Sequence, residues 1–375
     1  MNKIEFGELK FGTIARDNLN HCMDTNWSSA GPKVKEFESR WGKLFGYKYN
    51  KAVSSGTDAV LNLVSTAYDY GAKRGDEIIV PALSFIASTN AVVMAGFTPV
   101  FVDVELDSMN MDISKIENAI TDKTVAILAV HTMGKMCDII DLLDITKKHD
   151  LLLFEDACEA HGATFGGVFP GELSQGAAFS FYTAHLICAG EGGMVSTNIK
   201  KVADCVDSTR SHGRNPGDLY FDHKRVGYNS KMNDLEASLA LEGVEDFWDT
   251  FFERRGTLCK LMHQTAIYKH RAWFNEEEPH IERLCPHGFS VVLKDRVPIK
   301  ELTDVLDKNN IHWKRNFGSI PTQHAAYNWM GHTLGEFPNA EYIGDHGIHV
   351  GVHRYLSNKD VDRMVTAFLE YFETK

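Results

Sequence analysis

A histidine among small and apolar residues is the first group in this chain that could do chemistry. His185 lies in the stretch SFYTAHLICAGEGG (180–193), five residues after Ser180 and just before a glycine cluster. An imidazole changes its charge near neutral pH, so it can take up or release protons during a reaction. A buried histidine with a purely structural role is the commoner arrangement, and His185 alone leaves both interpretations open.

Two further stretches offer groups that bind ligands. Ser54-Ser-Gly-Thr-Asp58 precedes a helical pattern over 59–70, and the free N–H groups of a helix N-terminus, here at Gly56 and Thr57, suit a phosphate. The apolar run LLLFED (151–156) ends in Asp156, whose carboxylate could hold a cation or a protonated ring nitrogen. Simple helix capping and a turn carboxylate are the structural alternatives.

The elements that must position these groups alternate between strand and helix. The predicted strands lie at 77–81, 99–104, 125–130 and 151–156, and the predicted helices at 84–97, 113–120 and 138–150. This alternation predicts a mostly parallel sheet with right-handed crossovers. Ligands of such sheets bind beyond the carboxyl ends of the strands, where Asp156 lies.

A long helical pattern over 233–266 leads from this region into a second one. Strand patterns at 289–294 and 348–353, with helices at 299–310 and at the C-terminus, indicate a smaller α+β unit. The C-terminal helix has Ser357 as its expected N-cap, with Asp360 three residues later. We expect a large domain over 1–245, with an N-terminal arm, and a small domain over 246–375.

Composition narrows the class of protein. The 375 residues carry 39 Lys and Arg against 51 Asp and Glu, a net charge of −12 that argues against nucleic-acid binding. Seven scattered cysteines form no CxxC or CxC pair, which argues against a metal site and favours a reducing cytoplasm. No secretory signal is apparent, and no apolar run approaches about 20 residues, so we expect no membrane association.

Several stretches occur together, and in one order, in a known family. The chain resembles the DegT/DnrJ/EryC1/StrS group of sugar-nucleotide aminotransferases, which use pyridoxal phosphate (PLP) and have the aspartate-aminotransferase fold (fold type I). The resemblance runs from a Gly-Pro-x-Val-x-x-Phe-Glu pattern at 31–38 to about Arg255, and continues more weakly at 337–353. The matching stretches are SSGTDA (54–59), residues 80–104, EDACEAHGA (155–163) and GYNSKMNDLEA (227–237).

The resemblance implies PLP, or its amine form pyridoxamine phosphate (PMP), as the cofactor and assigns it binding residues. Gly56, Thr57 and Ser180 would hold the phosphate, Phe85 would stack on the pyridine ring, and Asp156 would pair with the ring nitrogen. Asn229 would reach the cofactor phosphate of the other subunit, which implies a homodimer with shared active sites. Glu159 would lie near the phenolic oxygen, where many relatives have glutamine; a carboxylate there would repel a phenolate unless protonated or turned away.

His185 stands where the aminotransferases have the lysine that binds the cofactor covalently, and no lysine lies between Asp150 and Asn198. This substitution resembles the sugar-nucleotide 3-dehydratase subgroup, such as GDP-4-keto-6-deoxymannose 3-dehydratase. The stretches RSHGR (210–214) and FDHK (221–224) and the lysine of GYNSK (227–231) are also similar to that subgroup. The resemblance implies 3-deoxygenation of a nucleotide-linked 4-keto-6-deoxyhexose, with His185 as the base. Such chemistry belongs to deoxysugar and O-antigen biosynthesis.

The scattered cysteines favour the branch of that subgroup that has no iron–sulfur cluster and uses glutamate as amino donor. Two alternatives stay open: a sugar aminotransferase that recruits another lysine, for example Lys135 or Lys231, and a non-catalytic relative that binds cofactor or nucleotide sugar. Arg214 and Arg315 could bind a diphosphate or the glutamate carboxylate, or could form surface salt bridges.

Overall fold

The computed structural model describes residues 2–215, 217, 222–294 and 296–374. The α-helices are α1 (Thr13–Thr25), α2 (Pro32–Phe45), α3 (Gly56–Ser65), α4 (Ile86–Ala95), α5 (Ile116–Ala119), α6 (Ile139–His149), α7 (Lys200–Thr209), α8 (Asp234–Glu245), α9 (Phe247–Thr265), α10 (Ile299–Lys308), α11 (Ile320–Gln323), α12 (Pro338–His346) and α13 (Asn358–Thr374). The strands are β1 (Tyr49–Val53), β2 (Glu77–Pro81), β3 (Thr98–Val102), β4 (Thr124–Val130), β5 (Leu152–Asp156), β6 (Thr164–Phe165), β7 (Gly176–Ser180), β8 (Gly193–Thr197), β9 (Ala272–Phe274), β10 (Glu282–Arg283), β11 (Gly288–Leu293), β12 (Trp313–Arg315) and β13 (Gly347–Gly351).

A seven-stranded sheet forms the centre of the large α/β unit, in the order β1-β8-β7-β5-β4-β2-β3. Strand β8 runs antiparallel to both of its neighbours, and the other strands share one direction. The predicted mostly parallel sheet is therefore confirmed. All five residues of β7 and all five of β8 are buried, which explains why their sequences show no alternation of polar and apolar residues.

This topology brings the predicted ligand-binding stretches to one edge of the sheet. Strand β5 ends at Asp156, β7 ends at Ser180, and β1 leads directly into the N-terminus of α3 at Gly56. Because β1, β5 and β7 point the same way, these three positions share the carboxyl edge, where α/β sheets bind ligands.

The helices and strands predicted from local patterns agree with the structure, except that one long predicted helix is two helices. The helical pattern over 233–266 is interrupted at Asp246, which separates α8 from α9. The predicted cap of the last helix is present: the Ser357 hydroxyl accepts the Asp360 N–H at 3.2 Å, and the Asp360 carboxylate accepts the Ser357 N–H at 3.1 Å. The sequence patterns predict no element before Ser54, where α1, α2 and β1 lie.

A second, antiparallel sheet lies in the C-terminal part of the chain, in the order β12-β13-β11-β9. Helices α9 and α13 pack together beside it, around a core that includes Phe289 and Phe368. The N-terminal arm joins this unit, since Ile4 pairs with Ile311 and belongs to the same core. The division of the chain at residues 245 and 246 stays a prediction. In the part of the chain that the structure describes, no helix is long and apolar enough to cross a membrane.

Candidate active site

A cavity of about 330 Å³ opens at the carboxyl edge of the large sheet, between that sheet and the small one. Among the predicted site residues, those that line it are Gly56, Thr57, Phe85, Asp156, Glu159, Ser180 and His185. They come from segments that are far apart in sequence, so only the fold brings them together. Asn229 is the predicted site residue that does not line this cavity; it is exposed.

The N-terminus of α3 forms one wall, in a shape that suits a phosphate. The Ser55 side chain caps the helix by accepting the Asp58 N–H at 3.0 Å, and the N–H groups of Gly56 and Thr57 belong to the first turn, which has no intrahelical acceptors. A Cβ atom at Gly56 would lie 2.5 Å from Ser180 Cβ and 2.8 Å from its Oγ. The absence of a side chain at Gly56 therefore lets the Ser180 hydroxyl stand beside the helix N-terminus, an arrangement that fits the phosphate of PLP.

This close approach gives a first prediction. We expect Gly56→Ala to displace Ser180, to cost about 1–3 kcal/mol of folding stability through overpacking, and to weaken cofactor binding. Thermal unfolding and a fluorescence titration with PLP measure the two effects. Gly256→Ala is the matched control, because Gly256 lies within α9 with open space around it, so that alanine there should be neutral or stabilising. Unchanged PLP affinity in Gly56→Ala would contradict the assignment.

Asp156 and Phe85 both line the cavity, in positions suited to binding the pyridine ring of the cofactor. The Asp156 carboxylate is 6% exposed and accepts the Ser88 hydroxyl at 2.7 Å and the Cys158 N–H at 3.1 Å. These bonds fix a carboxylate at the end of β5, where it lines the cavity. Phe85, immediately before α4, leaves 60% of its surface exposed and lines the same cavity, so its ring face is available for stacking. This donor set fits a pyridine ring with a protonated nitrogen.

His185 lies in the turn that follows β7, where its N–H donates to the Tyr182 carbonyl at 3.0 Å. Its ring Nδ1 is buried and has no hydrogen-bond partner in the described part of the chain. Burial, together with the positive charges of Arg254 and Lys314, lowers the pKa of His185 to about 3. The ring is therefore neutral at pH 7, which is the form that can accept a proton.

Two other buried histidines accompany it. The ring centre of His161 lies 5.7 Å from that of His185. The ring centre of His287, the residue before β11, lies 5.3 Å from that of His185. Burial, and the proximity of His185, lower the pKa of His161 and of His287 well below 6.5. We call His161, His185 and His287 the histidine cluster; its members are neutral at pH 7.

Glu159 is anchored by the Met133 N–H, which donates to its Oε2 at 2.7 Å, and its Oε1 lies 3.4 Å from His287 Nε2. Burial raises the pKa of Glu159 to about 7, with a further contribution from the charge of Asp156. A protonated fraction therefore exists near neutral pH, which reduces the repulsion that a carboxylate would exert on a phenolate. The role of Glu159 beside the phenolic oxygen stays a prediction.

Several other predicted residues lie away from the cavity. Lys135 donates to Glu282 and to the Glu276 carbonyl, both at 2.7 Å, in a different groove, and Lys231 lies 3.3 Å from the Asn229 side chain. Neither of these two lysines, the examples named for the aminotransferase alternative, lines this subunit's cavity. Arg315 lines the cavity, whereas Arg214 lines a separate one with Lys231. Phe221, in the stretch FDHK, lies outside the described residues.

Sequence reasoning missed the residues that the small sheet and the N-terminal arm contribute. Lys314 on β12 lines the cavity, and its ammonium group lies 4.2 Å from the centre of the Phe6 ring. His349 on β13 and His287, the residue before β11, also line the cavity. The one available signal was the occurrence of lone histidines next to apolar strand patterns, which is too common to single them out.

Comparison with known proteins identifies the chain. The sequence profile of the DegT/DnrJ/EryC1/StrS aminotransferase family matches residues 12–369. The chain belongs to this family. It is thus an enzyme of the sugar aminotransferase type, and its cofactor is PLP, with PMP as the amine form. The residues at the carboxyl edge fit that cofactor, as described above.

Individual family members carry different activities. The chain is 34% identical to a GDP-perosamine synthase of Caulobacter vibrioides, over 94% of each protein. It is 30% identical to a dTDP-4-dehydro-2,6-dideoxy-D-glucose 3-dehydratase of Saccharopolyspora spinosa, over 92% of this chain and 81% of the relative. Its fold matches a solved GDP-4-keto-6-deoxymannose-3-dehydratase with bound GDP-perosamine, at 24% identity and a TM-score of 0.87, over 98% of this chain and 100% of the other.

Proposed function

We propose that this enzyme removes the C3 hydroxyl of a nucleotide-linked 4-keto-6-deoxyhexose, with His185 as the base and glutamate as the amino donor. One observation carries the proposal: a neutral imidazole with an unpartnered Nδ1 occupies the position at which aminotransferases have their cofactor-binding lysine. An imidazole cannot form the covalent bond to the cofactor that the lysine forms, but it can transfer protons. The 3-dehydratase relative, 30% identical, supports this choice of reaction.

The bound PMP would supply an amino group that condenses with the C4 ketone and a ring that withdraws electrons. The chain's own residues would bind and orient the cofactor and would transfer the protons. The N-terminus of α3 and Ser180 would bind the phosphate, Phe85 would pack on the ring, and the charge of Asp156 would keep the ring nitrogen protonated; all of them line the cavity.

His185 has two tasks that use the same proton. In its neutral form it accepts a proton at the reacting carbon, and in its charged form it gives that proton to the departing C3 hydroxyl, which leaves as water. The released 3-deoxygenated enamine would react with water to give a 4-keto-3,6-dideoxy sugar and ammonia, and glutamate would supply the amino group for the next turnover. The proposal includes a homodimer in which Asn229, exposed on the surface of one subunit, reaches the cofactor phosphate of the other.

A second candidate function is transfer of an amino group to the same class of sugar. Lys314 favours it, because this lysine lines the cavity while Lys135 and Lys231 do not. The 34% identity to a GDP-perosamine synthase also favours it. Lys314 stands on the small sheet rather than in the turn after β7, however, so it would have to approach the cofactor from a different side than the family lysine.

The product decides between these functions. The purified enzyme is supplied with PLP, glutamate and a panel of GDP-, CDP- and dTDP-linked 4-keto-6-deoxyhexoses, and the products are identified by mass spectrometry and NMR. We expect a 3-deoxygenated ketosugar and one ammonia per turnover. A 4-amino sugar as the main product would overturn the dehydratase proposal, and tight PLP binding without turnover would indicate a non-catalytic relative.

The covalent state of the cofactor is a second readout that needs no sugar. Borohydride reduction of the PLP-loaded enzyme, followed by peptide mass spectrometry, is expected to leave the cofactor unattached. A cofactor fixed to Lys314 would support the aminotransferase instead, and Lys314→Met would then abolish the attachment.

A further inference from the structure

Arg254 is a buried cation whose observed hydrogen bonds all go to backbone carbonyl groups. It lies in α9, is 5% exposed, and forms no salt bridge with a carboxylate of the described residues. Burial lowers the pKa of Arg254 to about 10, which leaves the guanidinium charged at neutral pH. Burying a charge without a counter-charge is costly, so a functional reason for this residue is worth seeking.

The carbonyl groups that Arg254 binds belong to two segments that both carry members of the histidine cluster. Its Nη2 donates to the His287 carbonyl at 2.8 Å and its Nε to the Pro286 carbonyl at 3.0 Å. Its Nη1 donates to the His185 carbonyl at 3.3 Å, and both Nη atoms lie 3.4 Å from the Ala184 carbonyl. One guanidinium fork therefore ties the turn after β7 to the start of β11, as a lysine with its single ammonium could not.

The same guanidinium lies close enough to act on the histidine rings through its charge. After burial, its positive charge contributes to the lowered pKa of His185, His161 and His287. The other titratable and charged groups that line this cavity with His185 are His131, Asp156, Cys158, Glu159, Tyr182, Glu191, His287, Lys314, Arg315 and His349. His185 also lines a second cavity, whose titratable and charged groups besides Arg254 are Glu8, Lys10, Cys188, Glu242, Asp246, His353, Arg354 and Tyr355. Lys314 also lowers the pKa of His185, but it is exposed, so solvent screens its charge more than that of Arg254.

We propose that Arg254 is a positioning residue for His185: its guanidinium fork holds the turn that carries the imidazole, and its buried charge adds to the effect of burial in opposing a second positive charge at that imidazole. The proposal rests on the proposed function only where it names His185 as the base. The geometry and the charge effect can be tested without any substrate.

The charge effect is tested by NMR titration of ring-labelled histidines in the PLP-loaded enzyme, with the His185 signal identified by its loss in His185→Asn. In the wild type we expect His185 to stay neutral down to the lowest pH at which the protein is folded. In Arg254→Gln we expect it to titrate at a higher pH than in the wild type, because one of the two positive charges that lower its pKa is removed. On the acid side, kcat should then fall at a higher pH than in the wild type, because the reaction requires the neutral ring.

Arg254→Lys separates the charge from the fork. It keeps the positive charge, so the His185 signal should stay neutral as in the wild type, but it loses several carbonyl contacts, so kcat should fall about 10-fold with little change in KM. Arg255→Gln is the matched control: the neighbouring arginine pairs with Glu277, and its removal should leave both the titration and the acid limb unchanged.

Two outcomes would overturn the proposal. One is an unchanged His185 titration in a folded Arg254→Gln protein. The other, decisive even if Arg254→Gln does not fold, is a wild-type kcat in Arg254→Lys. Failure of deoxygenation in the wild-type enzyme would overturn the proposed function instead. The NMR titration would still test the effect of Arg254 on His185, because it needs no substrate.

Discussion

His185→Asn is expected to lower the rate of C3 deoxygenation by about 10²–10⁴-fold, the usual contribution of a positioned acid or base. Asparagine has a similar size but cannot accept or release a proton near neutral pH. The Nδ1 of His185 has no partner among the described residues, and the proposed phosphate site is formed by other residues, so cofactor binding should persist. Steady-state assays of the ketosugar product and a PLP titration measure the two properties.

The control for this change is His21→Asn, since His21 is exposed on α1 and its ring takes part in no described hydrogen bond. It should match the wild type in both assays. Deoxygenation that survives in His185→Asn would mean that another group, such as Glu159 or Lys314, removes the proton.

Asp156→Asn should slow the reaction with glutamate as well as the reaction with sugar, because both depend on a protonated ring nitrogen. Asparagine preserves the shape and can still accept the Ser88 hydroxyl, which isolates the loss of charge. We expect a loss of at least about 10²-fold in each half-reaction, corresponding to about 2.7 kcal/mol of transition-state stabilisation. Stopped-flow absorbance of the cofactor after mixing with glutamate measures the first half-reaction directly.

Asp204→Asn is a suitable control, since this exposed carboxylate on α7 pairs with Lys200 at the surface. His185→Asn and Asp156→Asn should also differ from each other. Only the second change alters the electronic state of the cofactor itself, so a spectrum of bound PLP that shifts in Asp156→Asn and stays constant in His185→Asn would separate the two roles. A normal glutamate half-reaction in Asp156→Asn would contradict the assignment of this carboxylate.

The fold class could be predicted from the sequence alone, and so could several of the residues that line the cavity. The strand β2 and the ends of β5 and α6 follow from local patterns, because strand and helix periodicities repeat over a few residues. Gly56 and Asp156 could be singled out for the same reason, because each lies where a helix or strand pattern begins or ends, whereas the role of Ser180 followed from the resemblance to the family. The N-terminal helices were missed as elements, although the family pattern at 31–38 lies at the start of α2.

Only the tertiary structure decided what surrounds His185. Arg254, His287 and Lys314 are 69 to 129 residues away along the chain, so no spacing rule connects them to it. The identity of a residue also does not fix its ionisation: a histidine becomes a neutral base through burial and nearby positive charges, and Glu159 gains a pKa of about 7 through burial. A sequence can thus name the group that replaces the lysine, but its charge and orientation depend on contacts that exist only after folding.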